Sequence, residues 1–228
     1  SASLISTLRS YLRFCVTRGE PVQGLMGVLV SPPNWPQATL PKALSEEEVA
    51  RLVAELGEDA SSTRRDVAIV RCALDLGLRC GEIAALSLDD IDWRDGTLML
   101  RRTKGGRADT LPLPPTTGQA IADYLRLERT QTSSRALFVR CIAPQGRPLG
   151  PDGVAKVIRQ AYARAGLTGH SAHALRHTLA SRLLASGGSL KEVADVLRHR
   201  SLDTTLIYAK LDTPSLSEVA LPWPGEVA

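Results

Sequence analysis

Between residues 30 and 42 the chain carries Pro32, Pro33, Pro36 and Pro41. Each proline fixes φ and lacks an N–H donor, so the run Ser31-Pro32-Pro33-Asn34-Trp35-Pro36 cannot be a helix interior or a central strand. Residues 30–42 therefore read as an interdomain linker. They separate a short piece, 1–29, from a long unit, 43–212. A tail at 213–228 with Pro214, Pro222 and Pro224 is expected to be irregular. The long unit is large enough to bury a sizeable core of its own. With 43% hydrophobic and 23% charged residues, the chain has an ordinary globular composition. No apolar run approaches the ~20 residues of a membrane helix, and no signal peptide is recognised. The first residue is Ser1, not Met, so the natural chain is expected to begin further upstream.

The long unit reads as mainly helical. Residues 2–17, ahead of the linker, place Leu4, Ile5, Leu8, Tyr11, Leu12 and Cys15 on one stripe, which predicts an amphipathic helix. Ser45 and Glu48 form a capping box that opens a helix to about residue 56. A second helix is expected from about Thr63 to Leu76, and a short one from Glu82 to Leu86. The period then changes. Runs at 97–102 and 109–113, joined around Lys104-Gly105-Gly106, predict a β-hairpin. A helix at about 117–128 and a short strand at 136–139 follow. Helices then fill 151–165, 173–186, 190–197 and 203–210, with a second capping box at Ser189 and Glu192. The fold class expected is mainly α with a small antiparallel β-sheet (α+β).

Chemistry is narrowed by charge and by unusual residues. A net charge of +4 and a pI near 9.0 permit a nucleic-acid partner without requiring one. The cysteines Cys15, Cys72, Cys80 and Cys141 show no C-x-x-C spacing, which argues against a zinc or redox pair. Cys72 and Cys80 read as small buried hydrophobes, and free thiols fit a reducing, cytoplasmic compartment. All four histidines, His170, His173, His177 and His199, fall in the last third of the chain. On a helix, His173 and Arg176 share a face and suit an anion, since an arginine fork holds two phosphate oxygens and histidine moves protons near neutral pH. A helix start with solvated charges is the plain alternative. Arg79 lies between glycines at the end of an apolar helix and needs an anionic partner. Glu82 at i+3 supplies one internally, or steadies Arg79 for a ligand. Lys104 at a hairpin tip serves solubility or delivers a proton to a leaving oxygen. Tyr208, beside Leu206 and Ile207, reads as core or as nucleophile.

The order of these residues resembles the tyrosine recombinase family, which includes phage integrases and Xer-type recombinases. The matching segments are Leu-Gly-Leu-Arg-Cys-Gly-Glu-Ile at 76–83, Thr-Lys-Gly-Gly-Arg at 103–107, His-Ala-Leu-Arg-His at 173–177 and Leu-Arg-His-Arg-Ser-Leu-Asp-Thr-Thr-Leu-Ile-Tyr at 197–208. The likeness spans 42–212. It implies an integrase-like catalytic domain over 43–212, with 1–29 as the last part of a helical DNA-clamp domain. It also implies a site-specific recombinase of a mobile element that cleaves and rejoins DNA through a 3′-phosphotyrosyl link. Tyr208 is the implied nucleophile, and Arg79 and Arg176 the implied clamp on the non-bridging oxygens. Lys104 would protonate the departing 5′ oxygen, His173 assist proton transfer and His199 hydrogen-bond the phosphate. Glu82 and His177 would brace these groups. A phenol, of ordinary pKa about 10, is expected to lose its proton more readily beside two guanidiniums and a phosphate. The resemblance implies no metal, cofactor or ATP. Its partner would be double-stranded DNA, bound as a homotetramer on two sites, with no membrane and no small-molecule substrate.

Three departures from the family pattern stand out. Only about the last helix of the family's clamp domain is recognised in residues 1–29, Asp109 replaces a frequent basic residue, and Arg198 replaces a common glycine. The alternatives are a type IB topoisomerase-like strand transferase, a non-catalytic DNA-binding fragment, and a metal-dependent nuclease built on Asp89, Asp90 and Asp92. For those aspartates a polar turn before Trp93 is the competing reading.

Overall fold

Ser45, Thr63 and Ser189 cap the starts of three helices. The computed structural model describes residues 2–29, 42–57, 63–101, 108–198 and 208. The chain divides into two compact units, residues 1–39 and 40–228. All but the last residue of the expected linker at 30–42, the hairpin tip with Lys104, the segment with His199, the helix at 203–210 (Tyr208 excepted) and the tail lie outside the described residues.

In the first unit, α1 (Ala2–Thr17) is followed by α2 (Gln23–Met26). The apolar stripe of α1 buries Cys15 but leaves Leu4, Leu8 and Tyr11 exposed. Arg9 Nη2 donates to the Leu29 carbonyl at 2.5 Å.

The second unit begins with α3 (Glu46–Ala54), where Ser45 and Glu48 form the expected reciprocal cap. Thr63 caps α4 (Arg64–Asp75), a helix whose Ala68, Ile69, Val70, Cys72, Ala73 and Leu74 are buried. Such all-round burial marks the central helix of the unit, and α4 packs on α6 (Pro115–Leu127), α7 (Pro151–Arg164) and α8 (Ala172–Ala185). The short α5 (Cys80–Ala85) packs on α7. Ser189 and Glu192 cap α9 (Leu190–Val196). Between α5 and α6 lies a three-stranded antiparallel sheet in the order β1 (Ile91–Asp92), β2 (Thr97–Leu100), β3 (Asp109–Pro112). Leu98 opposite Leu111 sets the β2–β3 register and turns the buried Leu98 and Leu100 toward the core. The mainly helical architecture with a small antiparallel sheet is the one expected. Among the described residues, no helix is long and apolar enough to cross a membrane.

Two local readings need correction. Residues 136–139 form isolated bridges, Ser87 with Ala136 and Val139 with Pro148, not a strand. The Arg129 guanidinium accounts for this. It donates to the carbonyls of Ser134, Ala136 and Leu137 at 2.8, 2.9 and 3.2 Å, taking acceptors that a ladder would use. Cys80, at the first turn of α5, is only partly buried against the core, whereas Cys72 is fully buried as expected.

Candidate active site

The turn between α4 and α5 requires Gly77. Its φ of +59° is left-handed, and a Cβ there would meet Leu179 Cδ2 at 2.9 Å and Leu197 Cδ2 at 3.1 Å. This turn aims the next residues. Arg79 is the extended N-cap residue of α5. Its backbone N–H donates to Glu82 Oε2 at 2.9 Å, and its Nη1 donates to Glu82 Oε1 at 2.7 Å. The Glu82 side chain is buried, while that of Arg79 keeps 29% of its surface exposed. One cation thus has a fixed partner below and an open face above.

Helix α8 supplies the second cation. Arg176 is only 4% exposed. Its Nη1 donates to the Gly77 carbonyl at 2.6 Å, and its Nη2 donates to the Leu197 carbonyl. These bonds fix the guanidinium between the α4–α5 turn and the end of α9. One helical turn brings His173 to the same side of α8, at the surface. His177 follows, with Nδ1 hydrogen-bonded to the Tyr208 hydroxyl at 2.5 Å and ring centroids 5.6 Å apart.

Tyr208 is 1% exposed and packs with Ala180, Val193 and Leu197 in a small cluster beside α8 and α9. Burial pushes its pKa up to about 12, although Arg176 and Arg79 pull the other way. In the DNA-free chain the two guanidiniums lower the phenol's pKa, and desolvation outweighs them. Burial, then Arg79 and Arg198, push Arg176 down to about 9, which still leaves it cationic at neutral pH. Partial desolvation on its inner side lowers the pKa of the surface residue His173, helped by Arg176 and Arg79, and burial lowers that of His177, helped by His173 and Arg176. Both rings are thereby biased to the neutral form that accepts a proton. Burial alone would raise the Glu82 carboxyl, but the Arg79 N–H and the Arg198 and Arg79 cations hold it below the usual range. The arrangement can hold an anion at two arginines, beside a phenol and two neutral imidazoles.

Of the residues singled out in the sequence, Arg79, Glu82, His173, Arg176, His177 and Tyr208 gather here. Lys104 and His199 lie outside the described residues. The aspartates of the nuclease alternative diverge. Asp89 pairs with Arg135 and Asp90 with Arg101 at 2.5 Å, while Asp92 Oδ1 accepts the N–H groups of Arg94 and Asp95. Residues 88–90 form a 3₁₀ turn leading into β1, in keeping with the polar-turn reading.

Sequence reasoning gave Arg198 no role, yet it enters the cluster. Its Nη2 donates to Glu82 Oε2 at 3.1 Å. The signal was an arginine where the resembled family commonly has glycine.

Residues 42–214 match the model of the phage integrase family. Over 99% of its length the chain is 40% identical to a Sinorhizobium fredii protein named "Putative integrase/recombinase y4rA", covering 55% of that protein. It is 34% identical to tyrosine recombinase XerC of Pseudomonas syringae pv. tomato, over 96% of this chain and 71% of that one. The crystal structure of XerA recombinase superposes with a TM-score of 0.66 at 26% identity, over 86% of this chain and 68% of that one. The chain spans about half the length of the first two curated relatives, 55% and 53%. By the match over its second unit and by these likenesses, the chain belongs to the phage integrase family.

Proposed function

We propose that the protein is a site-specific DNA recombinase of a mobile element, cutting and rejoining strands through a 3′-phosphotyrosyl bond to Tyr208. The observation that carries this reading is the hydrogen bond of the Tyr208 hydroxyl to His177, within electrostatic reach of both Arg176 and Arg79. In the His177 tautomer protonated at Nε2, Nδ1 accepts from the phenol, orients it and is placed to take its proton. The phenolic oxygen attacks phosphorus while the P–O5′ bond breaks. Arg79 and Arg176 hold the non-bridging oxygens as charge builds. His173 assists proton transfer, His199 hydrogen-bonds the phosphate, and Lys104 protonates the departing 5′ oxygen. Glu82 braces Arg79. Because the phosphotyrosine keeps the bond energy of the cut linkage, the free 5′ hydroxyl of a second strand can reverse the step without ATP. The fixed cations perform the charge neutralisation that a metal supplies elsewhere.

At 1% exposure the phenol is shielded, so cleavage requires the Tyr208 hydroxyl to become accessible to the phosphate when DNA engages. The partner is double-stranded DNA, and recombination between two sites calls for a homotetramer on two duplexes. A cytoplasmic, DNA-associated protein fits this reading and the free cysteines.

A duplex nicked near the cleavage position tests the proposal, since loss of the short 5′ fragment traps the covalent complex. The expected result is a protein–DNA adduct that resists denaturant and forms equally well in EDTA. A tightly bound duplex that never becomes covalent would leave only a DNA-binding protein. Strand cutting that disappears in EDTA would point to metal-dependent hydrolysis.

A further inference from the structure

We propose that Arg198 is a positioning residue of this site, dividing the Glu82 carboxylate with Arg79 and so setting where the Arg79 guanidinium meets phosphate. The inference rests on the recombinase reading above and extends it to a residue that this reading does not use.

The geometry is specific. Arg198 has φ +55°, and among the described residues it is the non-glycine residue in the left-handed region. This bend directly after α9 carries its side chain inward, where it is 6% exposed. Its Nη2 donates to Glu82 Oε2 at 3.1 Å, and its Nη1 donates to the Val196 carbonyl at 3.0 Å. Glu82 Oε1 is left to the Arg79 guanidinium, at 2.7 Å. The two guanidiniums thus take different oxygens of one buried carboxylate. Without Arg198, Glu82 Oε2 keeps only the Arg79 backbone N–H, and the carboxylate can rotate to give the Arg79 fork a larger share of its charge, which draws that fork away from an incoming anion.

Two features mark the arrangement as poor for stability alone. A left-handed arginine is strained where glycine is not. Its Nε is also buried with no hydrogen-bond partner among the described residues. Asp109, at the start of β3, adds support. Its carboxylate strengthens Arg198's hold on its proton, although burial, the largest influence, weakens it. The acidic residue at 109 and the arginine at 198 are both departures from the family pattern, and they complement each other in charge. Through Glu82 and the charge of Asp109, Arg198 links the α5 cation to the start of β3.

The test compares the full chain with Arg198→Gly, Arg198→Asn and Arg198→Lys. Asn is included because it tolerates left-handed backbone and protects the test against a folding failure of the glycine variant. Melting, binding of the nicked duplex, and the rate of adduct formation against pH are measured. The Gly and Asn variants should melt near or above wild type and bind DNA within about threefold, yet form adduct about tenfold more slowly. The acid limb of their pH profile should move to higher pH, because Glu82 loses a cation that favours its charged form. Lys should recover part of the rate by restoring the charge. Adduct formation within about twofold of wild type in either neutral variant overturns the proposal. Titration of Glu82 in 13C-glutamate-labelled, DNA-free protein decides the point separately. An unshifted Glu82 in Arg198→Asn sinks the role of Arg198, whereas a wild type that forms no adduct sinks the recombinase reading instead.

Discussion

Arg176 shows what a single side chain contributes here. It is a buried cation that donates to two backbone carbonyls, from Gly77 and Leu197, and the planar fork retains further N–H donors directed elsewhere. A lysine keeps the charge but cannot span both carbonyls and a phosphate oxygen. Arg176→Lys should therefore slow adduct formation by about 100-fold or more, as loss of a transition-state donor does. It should also lower stability by about 1–3 kcal/mol, because buried carbonyls lose partners. Rates on a trapping substrate, with a denaturation curve, check both, and near-wild-type turnover would contradict the clamp. The sequence made Arg79, His173 and Arg176 legible as anion ligands, since spacing on a helix and the need of a near-buried arginine for a partner are local facts. It did not make the state of the Tyr208 phenol legible. The sign of that shift depends on how much water is excluded, and the excluding groups, Ala180, Val193 and Leu197, are distant in the chain or lie on another helix. Arg198 was hidden for a related reason, because the left-handed turn into the cluster is signalled only by the glycine that the resembled family commonly has there, not by its neighbours in this chain.

At the scale of elements, the site depends on the turn between α4 and α5 more than on either helix. Gly77 brings the chain against α8 and the end of α9, and its carbonyl holds Arg176. Gly77→Ala meets both a left-handed backbone and the ends of two leucine side chains. Those ends can shift, so the expected loss is about 1–3 kcal/mol rather than unfolding. Chemical denaturation measures it, and an unchanged midpoint would contradict the close approach. Adduct formation should fall as well, because the Arg176 anchor moves. The capping boxes at Ser45 and Ser189 were legible because both partners sit within one helical turn. Residues 136–139 were misread because Arg129, seven and eight positions before Ala136 and Leu137, takes the carbonyls that a strand would offer.

For the molecule as a whole, the functional groups converge because α4 forms the centre on which α6, α7 and α8 pack. Residues 79 and 208 are far apart in the chain, yet the Arg79 charge acts on the Tyr208 phenol. The net charge of +4 is modest, so DNA affinity is expected to come from this concentrated cation cluster rather than from the surface at large. Binding of a duplex should weaken steeply as salt rises, with a log–log slope near −0.9 for each phosphate neutralised. Titration by fluorescence anisotropy between about 50 and 200 mM salt reads the slope, and a flat profile would argue against phosphate contacts. Fold class was legible from periodicity and from the change of period around residue 97. Which surfaces meet was not, since packing partners are chosen by shape.

The most direct measurement locates the covalent bond. After trapping on the nicked duplex, the protein is digested and the peptide carrying the nucleotide remnant is identified by mass spectrometry. The remnant is predicted on the peptide containing Tyr208, joined through the phenolic oxygen to a 3′ phosphate, and absent from Tyr208→Phe protein that still binds DNA. A remnant on any other residue, or an adduct that persists in Tyr208→Phe, would contradict the account.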